Sequence, residues 1–183
     1  VKVIALSVPS VENAYREATS RGAEGVREPH ELSDGDGTVK LATIRTYGET
    51  LHTFVERGDY KGPFLPGYAP RDIAPANGDA GLLAIDHIVG NVELGAMDRW
   101  VKYYEDVFGM KEMLHFSDED ISTEYSALMS KVVSDGNGRV KFPLNEPAEG
   151  KRKSQIDAYL EFYGGPGAPH LAIATRDIVN TLE

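Results

Sequence analysis

One local pattern occurs three times along this chain at almost constant spacing: an apolar strand, a polar turn and then an amphipathic helix. The three strands begin at Val3, His87 and His170, so successive copies are 84 and 83 residues apart. A fixed long period is the sequence signature of a repeated supersecondary unit. The chain is therefore expected to contain consecutive copies of one fold module.

Local signals predict the helices of this pattern. Ser10 is a typical N-cap residue, apolar residues then recur at steps of three and four, and Gly22 follows as a stop. The second helix carries an aromatic-rich apolar stripe that indicates core packing, and Gly109 ends it. The predicted helices run from about Val11 to Arg21, from about Ala96 to Phe108, from about Gln155 to Phe162, and onward from near Asp177.

Short strands are predicted after each complete helix. They cover residues 38–45 and 50–55 in the first copy, and residues 111–116, 123–130 and 140–143 in the second copy. Gly-rich turns at 34–37 and 136–138 lie among these strands. Each copy is thus a strand and a helix followed by two or three strands, which predicts an α+β fold.

A Pro- and Gly-rich stretch at 58–80 is predicted to link two domains, one at 1–57 and one at 81–183. The first residue is Val1 rather than Met, a strand begins at once, and the last helix only begins near Asp177. We therefore expect a two-domain chain that is incomplete at both termini.

The charge balance excludes several kinds of partner. The chain has 19 basic and 29 acidic residues, a net charge of −10, which argues against binding to nucleic acid or to anionic membranes. No apolar run approaches the ~20 residues that a membrane-spanning helix needs. Cysteine is absent, which removes disulfides and thiolate metal ligands and fits a reducing compartment, so we expect a cytoplasmic protein.

Two of the five histidines, His87 and His170, occupy the same position in successive copies of the pattern. If the copies pack as a pseudo-symmetric pair, these two imidazoles can converge on one metal ion. The first copy has Val3 at this position, which cannot bind a metal. A histidine at the start of a strand is also often only a hydrogen-bonded structural residue, so from spacing alone both interpretations stay open. The sequence has no Gly-rich phosphate loop and no nucleophile-elbow serine.

Short motifs spread over the whole chain resemble those of one known family. They are Tyr47-Gly48-Glu49-Thr50, His52-Thr53-Phe54-Val55, residues 62–68, Ile85-Asp86-His87, Gly90-Asn91-Val92, and residues 124–128, 142–147, 153–156 and 162–165. The chain resembles the vicinal oxygen chelate superfamily, in which βαβββ modules pair around a metal ion. Within that superfamily it is similar to the 4-hydroxyphenylpyruvate dioxygenases.

This resemblance implies an iron oxidoreductase of tyrosine catabolism. The family uses Fe(II) and O₂ to convert 4-hydroxyphenylpyruvate, a 2-oxo acid, into homogentisate and CO₂. Its metal ligands are two His and one Glu; the two His match His87 and His170, and the Glu lies beyond residue 183. The chain then corresponds to the second module of a metal-free amino-terminal domain, the first module of the catalytic domain and the start of the next. We expect a homo-oligomer in the family, and no activity from these 183 residues alone.

The resemblance also implies residues that line the substrate pocket. Ser126, Asn145 and Gln155 match polar positions around the aromatic ring of the substrate. One position departs from the family, since Pro169 stands where a Gln usually precedes the second ligand. Two alternatives remain: 4-hydroxymandelate synthase, which acts on the same substrate but usually lacks the Asn found here at 145, and a metal-free binding module of the same fold.

Overall fold

The computed structural model describes residues 1–71, 80–116, 128–147 and 153–182. The chain forms two compact units. The amino-terminal unit contains Val3–Thr46 and Thr50–Gly78, and the carboxy-terminal unit contains Val1–Lys2, Tyr47–Glu49 and Asp79–Glu183. None of the described helices is long and apolar enough to cross a membrane.

The amino-terminal unit is a single βαβββ module. Its elements are β1 (Val3–Ser7), α1 (Val11–Ser20), β2 (Gly25–Asp34), β3 (Gly37–Arg45) and β4 (Leu51–Glu56). The sheet order is β1-β4-β3-β2, with β1 parallel to β4 and the other pairs antiparallel. Helix α1 begins where the Ser10 side chain accepts a hydrogen bond from the backbone N–H of Asn13. Val11 and Ala18 of α1 are buried, as are Ile44 and Phe54 of the sheet.

The carboxy-terminal unit repeats this topology and adds the start of another copy. Its elements are β5 (Leu82–Asn91), α2 (Met97–Phe108), β6 (Lys111–Phe116), β7 (Leu128–Ser134), β8 (Lys141–Pro147), α3 (Gln155–Tyr163), β9 (Gly167–Thr175) and α4 (Ile178–Leu182). The sheet order is β6-β7-β8-β5-β9, with β5 parallel to β8 and antiparallel to β9. On one face, Tyr104 of α2 packs on Phe142 of β8 with ring centroids 5.0 Å apart.

The predicted α+β fold with repeated βαβββ modules is confirmed, and all four predicted helices are present near their expected positions. The expectation that His87 and His170 begin their strands is wrong. β5 starts at Leu82 and β9 at Gly167, because exposed apolar residues such as Leu82 and Ile85 extend the β5–β9 pairing beyond the histidines.

Three strand predictions need correction. β2 was not predicted, because this edge strand is mostly exposed and lacks an alternation of apolar and polar residues. β8 continues to Pro147 rather than ending at Pro143, since the first proline lies inside the strand, opposite Val132. β7 continues to Ser134, and residues 123–127 of its predicted range lie outside the described residues. The predicted division at the 58–80 linker stays a prediction.

Candidate metal centre

The two histidines singled out by the repeat lie on neighbouring strands of one sheet. His87 of β5 pairs with Ala172, and His170 of β9 pairs with Val89, so the two residues are diagonal neighbours across an antiparallel ladder. Diagonal neighbours lie within reach of long and aromatic side chains on the same face of a sheet. The two imidazole rings are 6.1 Å apart between centroids and nearly perpendicular, with 71° between their planes. Both rings are open to solvent, since His87 is partly exposed and His170 is exposed.

The Asp86 carboxylate lies against one ring nitrogen of His87 and is itself bonded by the Lys141 ammonium. The Nδ1 atom of His87 lies 2.8 Å from Oδ2 of Asp86, and the Lys141 ammonium donates to the other carboxylate oxygen over 2.7 Å. The hydrogen bond with His87, followed by that with Lys141, lowers the pKa of the Asp86 carboxyl group. Asp86 is therefore ionised near neutral pH, and the network leaves the Nε2 atom of His87 for another partner.

Polar residues of three adjacent strands share the face that carries His87. Asn91 pairs with Asn145, and Asn145 pairs with Ser130. Cross-strand partners and alternate residues of a strand lie on one face, so His87, Asn91, Asn145, Ser130 and Lys141 share one surface. His170 belongs to it as well, because it pairs with Val89, two residues from His87. We call this surface the histidine face. Helix α2 packs on the opposite face of this sheet, where Phe142 lies.

The structure therefore places one of the three predicted pocket residues on the same sheet face as the histidines. Asn145 lies on the histidine face and is partly buried. Gln155 is exposed at the first turn of α3, directly after Ser154, which caps the helix together with Asp157. Ser126 lies outside the described residues.

Helix α3 approaches the strand that carries His170. The hydroxyl of Tyr159, on α3, lies where a side chain at Gly167 would have to go, and Gly167 begins β9 opposite Asn91. Glycine at 167 leaves room for this hydroxyl, and the close approach brings α3 to the end of the strand pair.

Asn91, Ser130 and Lys141 were not predicted as site residues. Asn91 and Ser130 are buried polar residues, and Lys141 is three-quarters buried. The spacing of Asn91 four residues after His87 is a signal that could have found it, because residues two and four apart share a face of a strand. Ser130 and Lys141 depend on strand register, which no motif of the sequence specifies.

The remaining histidines do not extend the pair within the described residues. His52 is fully buried in the amino-terminal unit, and burial lowers its pKa to about 4. His30 bonds through Nδ1 to the backbone carbonyl of Glu28. The side chain of His115 lies outside the description. Across the described ranges, no three His, Cys, Asp or Glu side chains are grouped so that they could hold a metal ion.

Comparisons of the sequence and of the structure with known proteins point to the same superfamily. Residues 84–183 match the model of the glyoxalase/bleomycin resistance protein/dioxygenase superfamily. The whole chain is 44% identical to a 4-hydroxyphenylpyruvate dioxygenase of Yarrowia lipolytica and 45% identical to one of Dictyostelium discoideum, covering 48% and 51% of those proteins. Among solved structures, a mutant of 4-hydroxymandelate synthase from Streptomyces coelicolor matches 98% of the chain and 50% of its own, with a TM-score of 0.77 and 25% identity. The chain thus spans about half the length of the relatives it matches.

Proposed function

The chain belongs to the glyoxalase/bleomycin resistance protein/dioxygenase superfamily, and from this premise we propose that it is part of a 4-hydroxyphenylpyruvate dioxygenase. The reaction is the Fe(II)- and O₂-dependent conversion of 4-hydroxyphenylpyruvate to homogentisate and CO₂ in tyrosine catabolism. The observation that carries the proposal is the pairing of His87 and His170 on one face, 6.1 Å apart. Identity of 44–45% over the whole chain supports the choice of this family.

The donor set on the histidine face fits a ferrous ion. Imidazole suits iron, and two His with one carboxylate form the ligand set of many non-haem Fe(II) oxygenases. His87 and His170 would supply the two imidazoles, and by family resemblance a Glu of a later module would supply the carboxylate. A bound ferrous ion would supply the redox chemistry for O₂ and the Lewis acidity that binds a 2-oxo acid. We expect these 183 residues alone to hold the metal weakly and to be inactive.

The residues of the chain itself would bind and orient the substrate. Asn145 carries an amide that can both donate and accept hydrogen bonds, and it lies on the same face as His87. We propose that this amide holds the phenol end of the substrate while the histidines hold the metal. Ser126 and Gln155 remain proposed pocket residues on the family resemblance alone.

A second candidate is 4-hydroxymandelate synthase, which acts on the same substrate. It is favoured by the structural likeness to the Streptomyces coelicolor protein, which at 25% is well below the identity to the dioxygenases. Asn145 favours the dioxygenase, because the synthase usually replaces this residue. A metal-free binding module of the same fold is the third outcome to be distinguished.

Product analysis of the full-length protein that contains this sequence tests the proposal. Purified with Fe(II) and given 4-hydroxyphenylpyruvate under air, it is expected to release one CO₂ and one homogentisate for each O₂ consumed. Formation of 4-hydroxymandelate instead would identify the synthase. Binding of the substrate without O₂ consumption or CO₂ release would identify a binding module and contradict the proposal.

A further inference from the structure

An irregularity in β5 lies directly beside His87. In the pairing of β5 with β9, Ile85 is opposite Ile173 and His87 is opposite Ala172, so two steps along β5 match one step along β9. Asp86 is therefore the extra residue of a β-bulge. In a regular strand the side chains of consecutive residues point to opposite faces, whereas a bulge re-aims a side chain.

The bulge brings the Asp86 carboxylate against the neighbouring ring. Its Oδ2 atom lies 2.8 Å from Nδ1 of His87, and its Oδ1 atom accepts from the Lys141 ammonium over 2.7 Å. Lys141 extends from β8 on the histidine face, and its side chain is only 24% exposed. Each carboxylate oxygen thus has its own donor, and the carboxylate is held from two sides.

This contact decides which ring nitrogen carries the proton. An ionised carboxylate can only accept hydrogen bonds, so the Nδ1 atom facing it must carry the hydrogen. In a neutral imidazole the other nitrogen, Nε2, then has the free lone pair. Carboxylates that bond the far nitrogen of a metal-binding histidine fix its tautomer and orientation in many metal sites, and their loss typically weakens metal binding about 10–100-fold.

We propose that Asp86 is a positioning residue for His87: it holds the ring in the Nδ1–H tautomer and so presents Nε2 to the metal. Lys141 occupies the second carboxylate oxygen and keeps Asp86 from turning toward the metal as a ligand itself. This inference rests on the proposed metal function of His87, but its first consequence, the tautomer, exists without any metal.

The tautomer is measured on the metal-free 183-residue chain by long-range ¹H–¹⁵N NMR at about pH 8.5, where an ordinary histidine is neutral. His87 is expected as the Nδ1–H form in the parent chain and as a mixture of both forms in Asp86→Ala. Asp86→Asn retains an oxygen that can accept from Nδ1 and is expected to restore much of the Nδ1–H form. Asp98→Ala is the matched control, because Asp98 pairs with Lys131 on the same module and is expected to leave the His87 signals unchanged.

The metal consequence is measured on the full-length protein as its affinity for Co(II), followed by the absorption of the bound ion. Asp86→Ala is expected to weaken binding about 10–100-fold, and Asp98→Ala less than twofold. An Nε2–H form of His87 in the parent chain, or an unchanged Nδ1–H form in Asp86→Ala, would overturn the inference. Equal Co(II) affinity in Asp86→Ala and the parent would also overturn it. If instead His87→Ala binds Co(II) as tightly as the parent, the proposed metal function itself has failed. The tautomer result is independent of that outcome, because it is measured without metal.

Discussion

The buried carboxylate of Glu146 accepts a hydrogen bond of 3.0 Å from the backbone N–H of Met97, the first residue of α2. The amino-terminal module contains the equivalent contact, in which Glu56 at the end of β4 accepts from Val11, the first residue of α1, over 2.9 Å. The first backbone N–H groups of a helix have no partner within it and carry partial positive charge. In both modules the last strand thus supplies the anion that begins the helix.

Replacing Glu146 by Ala is expected to destabilise the carboxy-terminal unit by about 1–3 kcal/mol, because a buried N–H loses its acceptor. Glu146→Gln, whose amide oxygen can still accept, is expected to cost less than Ala. Urea unfolding followed by the fluorescence of Trp100, the single tryptophan, reports on this unit. Glu49→Ala is the control, since the side chain of Glu49 is 89% exposed, and its expected effect is within about 0.5 kcal/mol. Equal unfolding curves for Glu146→Ala and Glu49→Ala would show that the contact does not stabilise the unit.

The tripeptide Tyr47–Glu49 packs within the carboxy-terminal unit and requires glycine at its centre. Gly48 has φ +57°, and a Cβ there would collide with the carbonyl oxygen of Pro166, the residue before β9. Gly48→Ala is therefore expected to destabilise this unit by about 1–3 kcal/mol beyond the cost of placing a Cβ at a positive φ. Gly138→Ala isolates the strain, because Gly138 has φ +67° with open space around it. Trp100 fluorescence is a suitable probe, since its ring lies edge-on to Tyr47 with centroids 5.7 Å apart. If Gly48→Ala lowers the free energy of unfolding no more than Gly138→Ala does, the close contact with Pro166 is disproved.

Burial of His52 predicts a loss of stability in mild acid. Burial lowers its pKa from 6.5 to about 4, so between these values the unfolded chain binds a proton that the folded chain does not. The free energy of unfolding is unaffected by this group above pH 6.5 and falls as the pH drops toward 4. At pH 4 the loss of stability reaches about 3 kcal/mol. The pH dependence of urea unfolding, followed by circular dichroism, should be shallower over this interval in His52→Gln. His30→Gln is the control, and parallel pH profiles for His52→Gln and the parent would contradict the prediction.

The Asn145 amide is expected to control which product forms. Asn145→Ile in the full-length protein removes a donor and acceptor from the histidine face. If the proposed reaction takes place there, a shift of the substrate ring by about 1 Å is enough to alter rates by orders of magnitude. We expect less homogentisate, a larger fraction of hydroxymandelate, and unchanged iron content, all measured by chromatography and metal analysis. Asn13→Ile makes the same replacement on the exposed surface of α1 and should leave the product ratio unchanged. A parent-like rate and ratio in Asn145→Ile would show that this residue is structural.

Much of the fold was predictable because its signals are local. Ser10 predicts the start of α1, and Gly109 predicts the end of α2. Within each helix, the spacing of the apolar residues predicts the helical turns. The histidine pair was predictable from the repeat, because equivalent positions in two copies lie in equivalent strands, although neither histidine begins its strand. The structure places the two rings on one face of the sheet.

Other features depend on tertiary structure and carry no such signal. β2 is an exposed edge strand whose residues are charged on both faces, so no alternation marks it. The Asp86 side chain turns toward His87 because of a bulge in the pairing of β5 with β9. The strand β9 begins 76 residues after the end of β5, so no local signal marks this bulge. The contact of Lys141 with Asp86 likewise depends on the register of β8 beside β5.

Iron content of the full-length protein tests the central claim most directly. The parent, His87→Ala, His170→Ala and the control His30→Ala are each loaded with Fe(II) without O₂, desalted, and measured by metal analysis per polypeptide. One iron per chain is expected in the parent and in His30→Ala. Almost none is expected in His87→Ala and His170→Ala, because each loses one of the two imidazoles that the histidine face supplies. One iron per chain in either His87→Ala or His170→Ala would contradict the assignment of this pair as the metal ligands.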